Sequence, residues 1–271
     1  MNVTRMLTTL AVALPLALAG CGDDSDSGGG GGQDGKALYS GAVNKLDTLK
    51  SGKLDANLVT VLRANDQKLT VSEKAAFAEA GGTKLPQFDI DIHVEDPNGK
   101  PQDTSAINDG KDFYVKQQGA SEFEAQGAQA LDAVTSTYKR EQTALGSGRV
   151  PLLSLTPGDW AKSPKVDGTE TVGGDELKKI TADLDVPKFL KDLETGKESD
   201  VGLGVTLTQD ARKLLEPGAD VKTATLVALV DDDGRLRRLT AKVDGNVGGG
   251  VNVDFDLQMS ELDAPQEIAA P

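Results

Sequence analysis

Phe88-Asp-Ile-Asp-Ile-His-Val-Glu95 is the stretch of sequence that decides the fold. Apolar and polar side chains alternate along it without exception. Successive side chains of a β-strand point to opposite faces of a sheet, so this pattern predicts a strand with one buried face and one face in water. Strands of this kind are typical of antiparallel sheets.

Further segments carry the same signal. Val201-Gly-Leu-Gly-Val-Thr-Leu207 and Val251-Asn-Val-Asp-Phe-Asp-Leu-Gln-Met259 also alternate. The dipeptides Asp109-Gly110 and Asp233-Gly234 predict tight turns between paired strands. The other predicted strands are Leu54–Leu62, Ser105–Asn108, Asp112–Lys116, Glu170–Gly174, Leu177–Leu184, Thr223–Val230 and Leu236–Val243.

Helical periodicity appears early and in the middle of the chain. Apolar residues recur every three or four positions in Lys36–Lys50 and in Glu122–Leu145, which predicts two amphipathic helices. Pro187–Leu193 begins with a proline, which suits the first turn of a helix. Thr208 can cap a short helix that ends at Leu215. Val150–Pro164 contains three prolines and is expected to be a loop.

One segment, Gln67–Gly82, supports two interpretations. Thr70-Val-Ser-Glu73 has the spacing of a capping box at the start of a helix. Leu69 and Val71 could equally alternate within a strand. The sequence leaves helix and strand open here.

The predicted elements form an α+β layout, with a long antiparallel sheet and helices beside it. No linker-like composition divides residues 36–265. We therefore expect one domain over this range.

The N-terminus has the three parts of a secretory signal over residues 1–20: a basic start with Arg5, the apolar run Met6–Leu18, and small residues at the end. The apolar run is shorter than the roughly 20 residues that span a bilayer as a helix. Leu18-Ala19-Gly20-Cys21 resembles a bacterial lipobox, in which the chain is cut before a cysteine that carries fatty acyl groups such as palmitate. Residues 21–35 would then be the acylated Cys21 and a Gly/Ser/Asp tether.

Composition excludes several classes of function. The net charge of −14 disfavours nucleic-acid binding, because phosphates are neutralised by Lys and Arg. Once Cys21 is acylated no thiol remains, and a single His cannot form a His-based metal cluster. We therefore expect no metal site and no cofactor.

The polar motifs do not predict an enzyme. His93 shares the polar face of its strand with Asp91 and Glu95, which is the pattern of a solvated strand face. The acidic run Asp231–Asp233 is typical of a turn. Gly202-Leu-Gly204 lacks the third glycine of a dinucleotide-binding loop.

The order of these segments resembles the LppX/LprG-type lipoproteins of actinobacteria, which share a fold with the LolA carrier. The resemblance covers roughly residues 36–260. Its motifs are loose patterns of spacing. They are Asn108-Asp-Gly-Lys-Asp-Phe-Tyr-Val115, Trp160, Asp167-Gly-Thr-Glu-Thr-Val-Gly-Gly174, Lys179-Ile-Thr-Ala-Asp-Leu184, Phe189-Leu-Lys-Asp-Leu193 and Val230-Asp-Asp-Asp-Gly-Arg-Leu-Arg-Arg-Leu239.

The resemblance implies a half-barrel, a single antiparallel sheet whose concave face is covered by helices. Several members of the family hold acyl chains of lipids or glycolipids there, and the family has no catalytic residues. The implied function is a non-enzymatic envelope lipoprotein that binds or carries acyl chains. The apolar strand residues expected to line the site are Phe88, Ile90, Ile92, Val94, Val201, Leu203, Val205, Val251, Val253 and Phe255.

The alternative is a surface-displayed interaction or structural module with a filled core and no ligand, because apolar alternation is what any half-buried sheet shows. Both hypotheses place a monomer on the extracytoplasmic face of the cell membrane, attached through acylated Cys21.

Overall fold

The computed structural model describes residues 32–80, 85–96, 101–145, 148–153, 155–195, 209–216 and 218–271. The helices are α1 (Gly32–Lys45), α2 (Gly127–Leu145), α3 (Val186–Thr195) and α4 (Gln209–Arg212). The strands are β1 (Gly52–Leu62), β2 (Gln67–Ala78), β3 (Gln87–Glu95), β4 (Pro101–Asn108), β5 (Phe113–Lys116), β6 (Glu124–Ala125), β7 (Ala161–Val172), β8 (Asp175–Leu184), β9 (Val221–Val230), β10 (Leu236–Gly245) and β11 (Val251–Ser260).

All eleven of these strands belong to one sheet in the order β6-β5-β4-β3-β2-β1-β11-β10-β9-β8-β7. Every neighbouring pair is antiparallel. The first and last strands meet at the centre, while β6 and β7 lie at opposite edges, so the sheet is open.

The sheet has an inner face and an outer face. The inner face carries the buried side chains of each strand, such as Leu54 and Leu58 of β1 and Val253 of β11, whereas charged residues such as Asp55 and Asp254 alternate with them on the outer face. Residues of α1, α2 and α3 join the inner face in one continuous apolar core. The predicted α+β fold, a single antiparallel half-barrel sheet with helices over one face, is confirmed.

The segment Gln67–Gly82, for which the sequence allowed either a helix or a strand, forms a strand over Gln67–Ala78. It pairs with β1 from Gln67 to Phe77 and with β3 from Thr70 to Ala78. Two ladders of backbone hydrogen bonds outweigh the local capping box, which would satisfy only the first turn of a helix.

Two predicted helices have different limits. The first begins at Gly32, and its last turn, Leu46–Thr48, is a 3-10 helix. The prediction of helix from Glu122 was wrong, because Glu124–Ala125 pairs with β5 and the helix begins only at Gly127. Gly127 has a φ of 77°, which is a conformation that favours glycine.

The predicted loop at 150–164 was also wrong in its last four residues. The edge strand β7 already begins at Ala161 and runs through Pro164. The pairing register shifts between Lys162 and Lys165, and this irregularity on an edge strand accommodates a proline that cannot donate to the ladder.

The hairpins at Asp109-Gly110 and Asp233-Gly234 are confirmed. Gly234 has a φ of 72°, and the Asp231 carboxylate accepts hydrogen bonds from the backbone N–H and Nε of Arg235 at 2.8 and 3.0 Å. The acidic run is therefore partly a structural turn. The predicted strand Val201–Leu207 lies outside the described residues.

Candidate functional site

The predicted lipid-binding residues that the structure describes lie on the inner face. Five of them are buried in the apolar core: Phe88, Ile90, Val251, Val253 and Phe255. Ile92 and Val94 are partly exposed and pack against that core. The other three, Val201, Leu203 and Val205, lie outside the described residues, as does Cys21.

The half of the inner face formed by β9–β11 is filled by aromatic side chains. The rings of Trp160 and Phe189 have centroids 4.9 Å apart, and Phe255 packs edge-on against Trp160 at 5.6 Å. All three side chains are at most 1 % exposed. Phe255 is therefore occupied by protein contacts and is not free to line a cavity.

A buried carboxylate holds this aromatic cluster in place. Asp192 of α3 accepts hydrogen bonds from the indole Nε1 of Trp160 at 2.9 Å and from the backbone N–H of Thr156 at 2.7 Å. Burial raises the pKa of Asp192, while these hydrogen bonds act in the opposite direction. Because its carboxylate oxygens accept hydrogen bonds from Thr156 and Trp160 of the same chain, Asp192 is a structural residue and not a candidate for ligand binding.

The half formed by β2, β3 and β5 is less completely covered. Leu69, Ile92, Val94 and Val115 point to the inner face yet stay partly exposed. The helix α2 packs against β5 at this end of the sheet. We call these four side chains the open strip: they are aliphatic, they lie on the inner face and they stay partly exposed, which makes them the candidate surface for a ligand.

Glu73 is the functional candidate that sequence reasoning missed. Its side chain lies on the inner face of β2 between Ala56 of β1 and Ile92 of β3. It is 0 % exposed, and neither carboxylate oxygen has a hydrogen-bond partner in the described part of the chain. Burial alone raises the pKa of Glu73 from 4.5 to about 8. In the sequence, Glu73 is a charged residue that alternates with the apolar residues Val71 and Ala75. It can be recognised as facing inward only once the segment is known to be a strand.

His93 lies on the outer face, as predicted, and its side chain is 43 % exposed. Its Nδ1 is 2.6 Å from a carboxylate oxygen of Asp103, while the hydroxyl of Ser105 donates to Asp91 at 2.5 Å. The serine is thus engaged by a carboxylate and not by the imidazole that would activate it as a nucleophile. This arrangement is a polar network on a solvated strand face.

A cleft of about 580 Å³ opens near the outer face, between β1–β3 and the tip of the β7–β8 hairpin. Its lining includes Lys53, Lys74, Asp55, Asp91 and Arg238. Acyl chains need mainly apolar walls, so this cleft does not suit them. Among the described residues, no group of His, Cys, Asp and Glu side chains is placed to hold a metal ion.

No family model matches this chain, and no curated protein matches it either. Similar solved structures include LprF from Mycobacterium bovis, with 13% identity, a TM-score of 0.47 and coverage of 90% of this chain and 99% of that one. The Mycobacterium tuberculosis lipoprotein LppX has 16% identity, a TM-score of 0.35 and coverage of 86% and 98%. A LolA superfamily protein from Nitrosomonas europaea has 10% identity, a TM-score of 0.25 and coverage of 85% and 94%.

These structures come from the groups that the sequence resembles, at low identity. Because all three TM-scores lie below 0.5, any statement about function has to rest on the geometry of this chain.

Proposed function

We propose that this chain is a membrane-anchored, extracytoplasmic lipoprotein without enzymatic activity, and that its inner face binds the acyl chains of a lipid or glycolipid. The observation that carries this proposal is the open strip of Leu69, Ile92, Val94 and Val115. These apolar side chains are continuous with the buried core but are themselves only partly covered.

The chemistry of the open strip favours acyl chains over other ligands. Its four side chains are aliphatic, so they offer van der Waals contact and removal of apolar surface from water, but no stacking surface for sugars or bases. A chain of methylene groups gains roughly 0.8 kcal/mol for each CH₂ that it buries in such a place. The polar headgroup would stay at the mouth of the site.

None of the helices in the described ranges is long and apolar enough to cross a membrane.

The lipobox-like sequence that ends at Cys21 supports the proposed anchor. Ten residues lie between Cys21 and the start of α1 at Gly32. Even fully extended they would reach at most about 40 Å, so an acylated Cys21 would keep the folded part close to the bilayer surface.

The filled-core module stays the second candidate, because the aromatic cluster of Trp160, Phe189 and Phe255 fills the other half of the inner face. A ligand site is therefore confined to the β2–β5 side. The two candidates differ in one observable, which is whether the protein carries lipid that is not covalently attached.

Native mass spectrometry of the full-length protein, produced in a host that lipidates bacterial lipoproteins, tests this difference. We expect mass increments of one acyl lipid above the covalently lipidated chain, and these increments should persist after exchange into a second detergent. A mass that corresponds to the lipidated chain alone in both detergents would overturn the lipid-binding proposal and favour the filled-core module.

A further inference from the structure

Glu73 is buried next to the open strip, and its carboxyl group has no hydrogen-bond partner among the described residues. Directly opposed residues in a sheet have Cβ atoms about 5 Å apart, and Glu73 opposes Ile92 of the open strip on one side. On its other side it opposes Ala56, which is 0 % exposed. The carboxyl group therefore stands at the boundary between the filled core and the partly covered surface.

An ionised carboxylate at this position would lose its hydration without gaining a hydrogen bond or a counter-ion, which is very unfavourable. The group is accordingly neutral at physiological pH, which agrees with its raised pKa of about 8. A neutral carboxylic acid has one O–H donor and a carbonyl acceptor. Buried polar groups of this kind almost always have partners, and the described residues supply none for Glu73.

The chemistry of a neutral acid selects the kind of partner. An anionic headgroup would have to be desolvated in an apolar site beside a group that offers it a single hydrogen bond. A cationic headgroup would have to ionise Glu73 and bury the resulting ion pair, and desolvation can exceed the Coulombic gain of such a pair. A neutral carbonyl oxygen accepts the O–H without either cost.

On the basis of the proposed lipid-binding function, we propose that the Glu73 carboxyl group donates a hydrogen bond to the carbonyl oxygen of the ester or amide that joins an acyl chain to its lipid. This contact fixes how deep the chain enters beneath Ile92 and makes the site selective for acyl lipids over alkyl ethers.

A competition between two matched lipids tests the contact. The full-length protein in detergent is offered equal amounts of dipalmitoyl phosphatidylglycerol and its dialkyl ether analogue, which lacks both carbonyl oxygens. Native mass spectrometry then gives the ratio of the two bound lipids. Leaving a buried donor unpaired is unfavourable enough for the wild type to prefer the ester lipid by about fivefold or more.

Three variants locate the source of this preference. Glu73→Leu removes the donor and should bring the ratio to about one, whereas Glu73→Gln keeps a neutral donor and should retain the preference. Thr70→Val is the matched control, because the Thr70 hydroxyl is also a buried oxygen for which the described residues supply no partner, but it lies on the outer face of the same strand, opposite Val59 and Glu95. Its ratio should equal that of the wild type.

The outcomes separate this inference from the function on which it rests. Uptake of both lipids with a ratio of one in the wild type, or an unchanged ratio in Glu73→Leu, would overturn the role of Glu73 and leave lipid binding intact. Uptake of neither lipid by the wild type would overturn both.

Discussion

At the scale of single residues, Glu73 should make stability depend on pH in the opposite direction to most carboxylates. Most carboxylates in folded proteins have lowered pKa values and stabilise the fold as they ionise. Burial instead raises the pKa of Glu73 from 4.5 to about 8, so the folded protein holds a proton that the unfolded chain has released between these two values. The contribution of Glu73 to stability therefore falls as the pH rises through this window.

Glu73→Gln should remove this dependence, since the amide has nearly the same shape and stays neutral at every pH. We expect the free energy of unfolding of the wild type to fall, relative to the variant, by up to about 1.4 kcal/mol for each pH unit inside the window. Urea titrations of both proteins at about pH 5 and pH 8 measure the difference. All other titratable groups are the same in the two proteins, so their contributions to the difference cancel. Parallel pH profiles would contradict a buried, proton-binding Glu73.

At the scale of elements, the strands that could be predicted are those whose two faces differ in chemistry. In β3 and β11 apolar and polar residues alternate at every position, so each residue can be assigned to one face of the sheet. The predicted limits of both strands agree with the structure to within one residue. The strand β2 could not be assigned, because Glu73 breaks the apolar phase and also completes a capping-box spacing. What decides its structure is pairing with β1 and β3, and such pairing is not visible within a local window.

The same limit explains why the candidate site was only partly predicted. The alternation of apolar and polar residues identified which side chains face inward, so Ile92 and Phe255 were both predicted to line the lipid site. Only packing separates them, because Phe255 lies against Trp160, which is 95 positions away in the chain, while Ile92 stays partly exposed. Coverage by distant elements is a property of the fold that no single segment carries.

Two tryptophan substitutions on the inner face test this difference between a covered and an open element. Ile92→Trp adds bulk to the open strip, so it should reduce lipid uptake and change the free energy of unfolding by less than about 1.5 kcal/mol. Val253→Trp is the matched control. Val253 is 0 % exposed between Thr60 and Val243, and overpacking there should destabilise the fold by about 1–3 kcal/mol or more.

Urea titration and native mass spectrometry of the two variants give both readouts. Unchanged lipid uptake in a stable Ile92→Trp variant would mean that the open strip is not the binding surface. A Val253→Trp variant as stable as the wild type would mean that the inner face is hollow beneath β11 as well.

At the scale of the whole molecule, the proposed anchor would hold the proposed inner-face lipid site next to a bilayer with which it could exchange lipid. The division into a signal peptide at residues 1–20, an acylated tether at 21–35 and a domain at 36–265 remains a prediction, since Cys21 lies outside the described residues. A folded part with a net negative charge has no general electrostatic attraction to anionic membranes, so the proposed attachment rests on the acyl chains of Cys21.

Replacing the anchoring residue separates attachment from binding. In a host that processes bacterial lipoproteins, Cys21→Ala should leave the membrane and detergent phases or accumulate with its signal uncleaved, because two or more acyl chains give stable attachment where hydrophobic contacts of a single chain do not. Detergent-phase partitioning measures attachment, and the mass of the N-terminal peptide distinguishes a cleaved from an uncleaved chain. Glu73→Gln is the control, since it lies in the folded domain and should partition as the wild type does. A cleaved Cys21→Ala protein that partitions with the wild type would contradict the anchor, and the inner-face site would then have to exchange lipid without a tether.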